Sequence, residues 1–114
     1  MRVEDYRFGR IVVDGKVYTN DIIVLSNGGV VSDWWRKEGH VLRVCDIEKY
    51  LSGDVKVLIV GQGASGCMVV TDEVYEWGKR RGIDVVALLT GDAVVEFNRR
   101  ADEGSVAGAF HLTC

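Results

Sequence analysis

The sequence predicts an α/β fold built on a mostly parallel central sheet. Two observations carry that expectation. The second half of the chain alternates short, β-branched apolar runs with amphipathic segments in the order strand, helix, strand, helix, strand. Such an order joins parallel strands through right-handed crossovers. The first half reads as short strands instead, with a hairpin that either adds a second β layer or extends one edge of the sheet. The 114 residues fit one α/β domain spanning 1–114 with one core.

Taken in order, Arg10-Ile11-Val12-Val13 and Lys16-Val17-Tyr18-Thr19 flank Asp14-Gly15. Asp-Gly between two β-rich runs is a two-residue hairpin signal, because both turn positions need positive φ. Asp21 to Leu25 is the next strand candidate, Ser26-Asn27-Gly28-Gly29 a turn, and Val30-Val31 a return to the sheet. Ser32 to Gly39 is irregular and carries Trp34, Trp35, Arg36 and Lys37. Val41 to Val44 is a weak strand or extended link, and Asp46 is placed to cap a short helix with Ile47, Tyr50 and Leu51 on one face.

Val55 to Val60 is nearly all apolar, the pattern of a strand buried on both faces. The turn Gly61-Gln62-Gly63-Ala64-Ser65-Gly66 follows it. Thr71 then caps a helix to about Arg81, with acids in its first turn and bases in its last, as the helix dipole favours. Asp84 to Leu89 is a second buried strand, Thr90-Gly91 turns the chain, and a helix runs from about Asp92 to Asp102. Ser105 to Leu112 closes the sheet.

Composition narrows the function classes. Apolar residues make up 47% and charged residues 27%, which argues against disorder. With 14 basic against 17 acidic residues, the net charge of −3 lacks the basic excess that phosphate-directed nucleic-acid binding needs. No apolar run approaches the roughly 18 residues of a membrane span, and the first residues carry no signal-peptide pattern, so no membrane is expected and the expected location is cytoplasmic. Cys45, Cys67 and Cys114 are odd in number and widely spaced, so neither a disulfide framework nor a metal site is expected; Cys45 and Cys67 read as small buried hydrophobes. No cofactor is indicated.

The glycine turn marks the expected pocket. Gly61, Gln62, Gly63, Ser65 and Gly66 match G-x-G-x-x-G after a strand, with Thr90 and Gly91 at the next strand end. Ligands in such sheets bind beyond the carboxyl ends of parallel strands. A dinucleotide is disfavoured: the following helix starts only at Thr71, and Leu88-Leu89-Thr90 lacks the acid that would hold a ribose. The turn reads better as a tight structural element, with at most an anion-sized nest of amides. Arg36 and His40 could bring a cation and a titratable group to this cleft. Asn98 is placed to brace the Thr90 turn or to touch a ligand, bracing being favoured, and His111 reads as a structural histidine. Adjacent Trp34 and Trp35 cannot both face one core easily, so one is expected outside, where an indole favours a partner interface. No serine–histidine–acid set, zinc motif or Walker loop occurs.

These residues together resemble a family of small domains without an assigned activity. The resemblance rests on the Gly61–Gly66 turn, Thr90-Gly91, Phe97-Asn98 and the run Gly104-Ser105-Val106-Ala107-Gly108-Ala109-Phe110-His111-Leu112-Thr113-Cys114, with Trp34-Trp35-Arg36 and Gly39-His40 in order before them. The family is similar in its eukaryotic branch to a mitochondrial complex I assembly factor and an adipogenesis-associated protein, and this chain looks most like short prokaryotic or archaeal members. The resemblance implies a three-layer α/β fold with an extra β layer, and no reaction. The expected function is a non-catalytic interaction or assembly domain with a protein partner or a second copy of itself. The alternative is a small-ligand or anion-binding domain, or an enzyme, with its pocket at Gly61–Gly66 and Thr90–Gly91.

Overall fold

The computed structural model describes residues 2–114. Its first unit is a three-stranded antiparallel sheet, β1 (Val3–Arg7), β2 (Arg10–Val13) and β3 (Lys16–Tyr18), in that order. Asp14 and Gly15 turn β2 into β3 with φ of 48° and 82°, the left-handed pair the hairpin signal requires. The flanking strand β1 was not legible in the sequence. It carries Glu4, Asp5 and Arg7 around a single core residue, Val3, so no alternating apolar pattern marks it.

The main sheet has five strands: β4 (Ile22–Val24), β5 (Val30–Val31), β7 (Val57–Gln62), β9 (Asp84–Leu88) and β10 (Val106–His111), in the order β5-β4-β10-β7-β9. Only β10–β7 and β7–β9 pair in parallel; β10–β4 and β4–β5 are antiparallel. The mostly parallel sheet expected from the second half is therefore mixed, because β4 of the first half inserts beside the closing strand. Strand β9 is a half-buried edge rather than a second buried strand, since only β7 pairs with it. A two-stranded parallel ribbon, β6 (Val41–Leu42) with β8 (Val69–Val70), stands apart.

The helices are α1 (Val44–Ile47), α2 (Asp72–Arg81) and α3 (Thr90–Arg100). Asp46 lies inside α1 rather than ahead of it, and its carboxylate accepts the Arg43 and Lys37 amides. Thr71 does precede α2, but its hydroxyl donates to the Leu42 carbonyl at 2.9 Å instead of capping the helix. Thr90 and Gly91 are the first residues of α3, not a turn before it.

Alternation along the central strands feeds two cores. Leu58, Val60, Ala107, Ala109 and Ile23 point to one face, against Trp34, Met68, Val74 and Trp77. Val57, Ile59, Val106, Phe110, Ile22 and Val24 point to the other, against Val3, Ile11 and Val13 of the small sheet and Phe97 of α3. The hairpin sheet thus packs on a face of the main sheet and does not extend its edge. Asn98 braces this second core, although not at Thr90: its Nδ2 donates to the Val3 carbonyl at 2.7 Å, and its Oδ1 accepts the Val3 amide at 2.8 Å. Replacing Asn98 with alanine strands both groups of a buried residue, so we expect Asn98→Ala to cost about 2 kcal/mol in urea unfolding and to speed exchange of the Val3 amide.

Candidate functional site

The candidate site forms where β10 and β4 run past each other. Their register pairs Ala109 with Ile23 and Phe110 with Ile22, and its continuation sets His111 against Asp21. Paired residues share a face, so both polar side chains fall on the Trp34 side of the sheet. The tryptophan loop crosses just there. The Trp34 amide donates to the Asp21 carbonyl at 2.9 Å, and the Trp34 indole N–H donates to the Asp46 carbonyl at 3.0 Å. Trp34 is therefore buried, and Trp35, next along, is 74% exposed.

Loop and strands together assemble a buried cluster. Arg36 Nη2 donates to Asp21 Oδ2 at 2.7 Å, and its Nε donates to the Gly39 carbonyl at 2.9 Å. Its guanidinium also lies 4.7 Å from the Trp34 ring. His111 Nδ1 stands 2.7 Å from the same Asp21 Oδ2, and the Leu112 amide donates to Asp21 Oδ1 at 2.8 Å. The side chains of Arg36, His111 and Asp21 are only 3%, 6% and 12% exposed. Burial pushes the Asp21 carboxyl up, but the bonds from His111, Leu112 and Arg36 outweigh it, and the net pKa lies below the usual carboxylate value. A carboxylate only accepts, so Nδ1–H is the donor of the His111–Asp21 contact and Nε2 is the ring nitrogen left out of it. Among the described residues, neither His111 Nε2 nor Arg36 Nη1 has a hydrogen-bond partner.

A cavity of about 250 Å³ opens beside this cluster, lined by Thr19, Asn20, Trp35, Arg36, His40 and Thr113 together with Asp21 and His111. His40 is exposed, and its ring meets that of His111 edge to face at 5.5 Å. Arg36 and His40, the two loop residues named from sequence, are thus brought together; none of Gly61–Gly66, Thr90 or Gly91 lines the cavity.

The glycine segment supports the site from behind. Gly61 and Gln62 are still strand, so the turn proper begins at Gly63. Several of its amides bond within the chain: Gly63 N–H donates to Thr90 Oγ1 at 2.8 Å, Ala64 N–H to the Thr113 carbonyl at 2.7 Å, and Cys67 N–H, just after it, to the Cys114 main-chain oxygen at 2.9 Å. A Cβ at Gly63 would stand 2.9 Å from the His111 ring. Thr90 Oγ1 donates in turn to the His111 carbonyl at 2.6 Å, and Gln62 Nε2 donates to the Met68 carbonyl. Ser65 and Gly91 are exposed, and Gly66 donates to the Gly63 carbonyl. The turn clamps the strand end that carries His111. Cys45 and Cys67, expected inside, are both exposed, because one lies on a short surface helix and the other in the loop after this turn.

Sequence reasoning missed Asp21 and set His111 aside. Each is a lone polar residue at the end of an apolar strand, and that is the signal that could have marked them.

Residues 3–111 match the model of a family described as a protein of unknown function, DUF498/DUF598. The chain belongs to this family. Among solved structures it is similar to a conserved hypothetical protein from Pyrococcus horikoshii OT3, with 26% identity over the whole of both chains and a TM-score of 0.88. It is also similar to a protein named MT938, with 25% identity, 99% and 98% coverage and a TM-score of 0.81. A Bordetella pertussis Mth938-like domain shares the fold at 20% identity, with 97% of this chain and 85% of that one covered and a TM-score of 0.70. The small uncharacterised α/β family expected from the sequence is the family found. Among the described residues, no helix is long and apolar enough to cross a membrane.

Proposed function

We propose that the protein binds a small ligand bearing a carboxylate or phosphate in the cavity beside Asp21, Arg36 and His111. One observation carries the reading: Arg36 and His111 both line the cavity, and each keeps a buried side-chain nitrogen without a hydrogen-bond partner among the described residues. An unsatisfied buried polar group costs about 1–3 kcal/mol, which an acid recovers where one of its oxygens accepts from Arg36 Nη1 and a hydroxyl it carries donates to His111 Nε2. The volume of about 250 Å³ falls below the range typical of drug-sized ligands, so a dinucleotide is too large and a small acid is the right scale. The anion site expected at the glycine turn moves in this reading to the far side of His111, since the Gly63, Ala64 and Gly66 amides are already engaged.

An amide-resolved NMR titration with phosphate and with small mono- and dicarboxylates tests it. Millimolar ligand should shift Gly39, Leu112 and Thr113, and His40→Ala on the exposed rim should weaken binding without loss of stability. No shift at those amides with any of the acids overturns the reading.

A second reading, an interaction domain, is favoured by the 74% exposure of Trp35 at the cavity rim. If that side chain docks on a partner or a second copy, Trp35→Ala shifts the sedimentation of the assembly and leaves acid binding intact.

A further inference from the structure

We propose that Cys67 and Cys114 form a reversible disulfide that ties the segment after β10 to the glycine turn. The two residues are 47 positions apart in sequence but joined by a hydrogen bond, the Cys67 amide donating to the Cys114 main-chain oxygen at 2.9 Å. Standard backbone dimensions then hold their Cα atoms within about 7 Å of one another, the upper edge of the span a disulfide bridges. A second tie keeps the segments in register: the Ala64 amide donates to the Thr113 carbonyl at 2.7 Å. Both cysteines are exposed, so an oxidant can reach either thiol. Neither takes part in the Asp21–Arg36–His111 cluster, so the inference stands or falls separately from the ligand reading.

The oxidant named here is a low-molecular-weight disulfide, oxidised glutathione. One thiol loses its proton, and the thiolate attacks a glutathione sulfur, expelling one glutathione thiolate and leaving a mixed disulfide. The second thiolate then attacks the protein sulfur of that bond and expels the other glutathione. The two cysteines together give up two protons and two electrons, and one oxidised glutathione becomes two reduced molecules. The product clamps the chain beside Thr113, which lines the cavity, and behind Gly63, which has no room to move toward Cys114.

The experiment incubates the full chain with oxidised or reduced glutathione, alkylates free thiols, and measures intact mass and a peptide map. Oxidation should remove about two mass units, leave one alkylatable thiol, and yield a Cys67–Cys114 cross-linked peptide. The free thiol should be Cys45, which sits in α1 beside Asp46. Cys67→Ser and Cys114→Ser, both at exposed positions, should each abolish the cross-link. Three alkylated thiols after oxidation, stable glutathione adducts without a bridge, or a bridge that includes Cys45 would each overturn the proposal.

Discussion

Replacing Asp21 with alanine should destabilise the protein by about 3–5 kcal/mol, the cost of leaving a buried charge without its partner. Arg36, its side chain 3% exposed, would keep its charge and lose the carboxylate it contacts. His111 would lose the acceptor at Nδ1, and the Leu112 amide would lose its own. Urea unfolding measures the loss. A second variant checks its origin: adding Arg36→Met to Asp21→Ala should restore part of the stability, because the charge that was stranded is gone. A simple sum of the two single effects would mean that the pair is not coupled. The same carboxylate sets a pH dependence. Its folded pKa is depressed, so the stability it contributes is present above the unfolded value near 4 and lost as the pH falls through the lower, folded value. Asp21→Asn should therefore flatten the acid limb of a stability–pH curve below about pH 4 while leaving its neutral limb parallel to wild type.

Gly63→Ala should cost about 3 kcal/mol or more, through two independent effects. At φ +104° an L side chain is strained, and the new Cβ would collide with the Cys114 carbonyl carbon, which is backbone and yields only if the segment carrying it moves. The segment after β10 should be displaced, and exchange of the Ala64 and Cys67 amides bonded to it should accelerate. Gly91→Ala is the matched control. Gly91 lies in the first turn of α3 with nothing within 4 Å and no positive φ, so alanine there should stabilise by about 0.5–1 kcal/mol. Equal effects at the two positions would remove the distinction between a glycine that is packed against and one that is merely helical.

The contrast between those glycines shows how far the sequence reaches. Both stood in the expected pocket, and neither lines the cavity. What the residues determined by themselves was local. The Asp14-Gly15 hairpin, the apolar run of β7, the dipole-matched ends of α2 and the closing strand all follow from neighbours a few positions apart, where side-chain period and turn chemistry decide the backbone. The Trp34–Trp35 pair belongs with them: two adjacent side chains could not share one core, and one is buried while the other is out. The tertiary structure alone decided the rest. Which strand would sit beside β10 depended on pairing across the chain, and the choice of β4 made the sheet mixed. That same choice created the site. Arg36 lies 15 positions from Asp21 and 75 from His111, and Asp21 lies 90 from His111, so no period or spacing links them. Only the antiparallel register of β4 on β10, with a buried tryptophan pinning the loop above it, brings three polar side chains together where they are largely buried and gives their charges consequence.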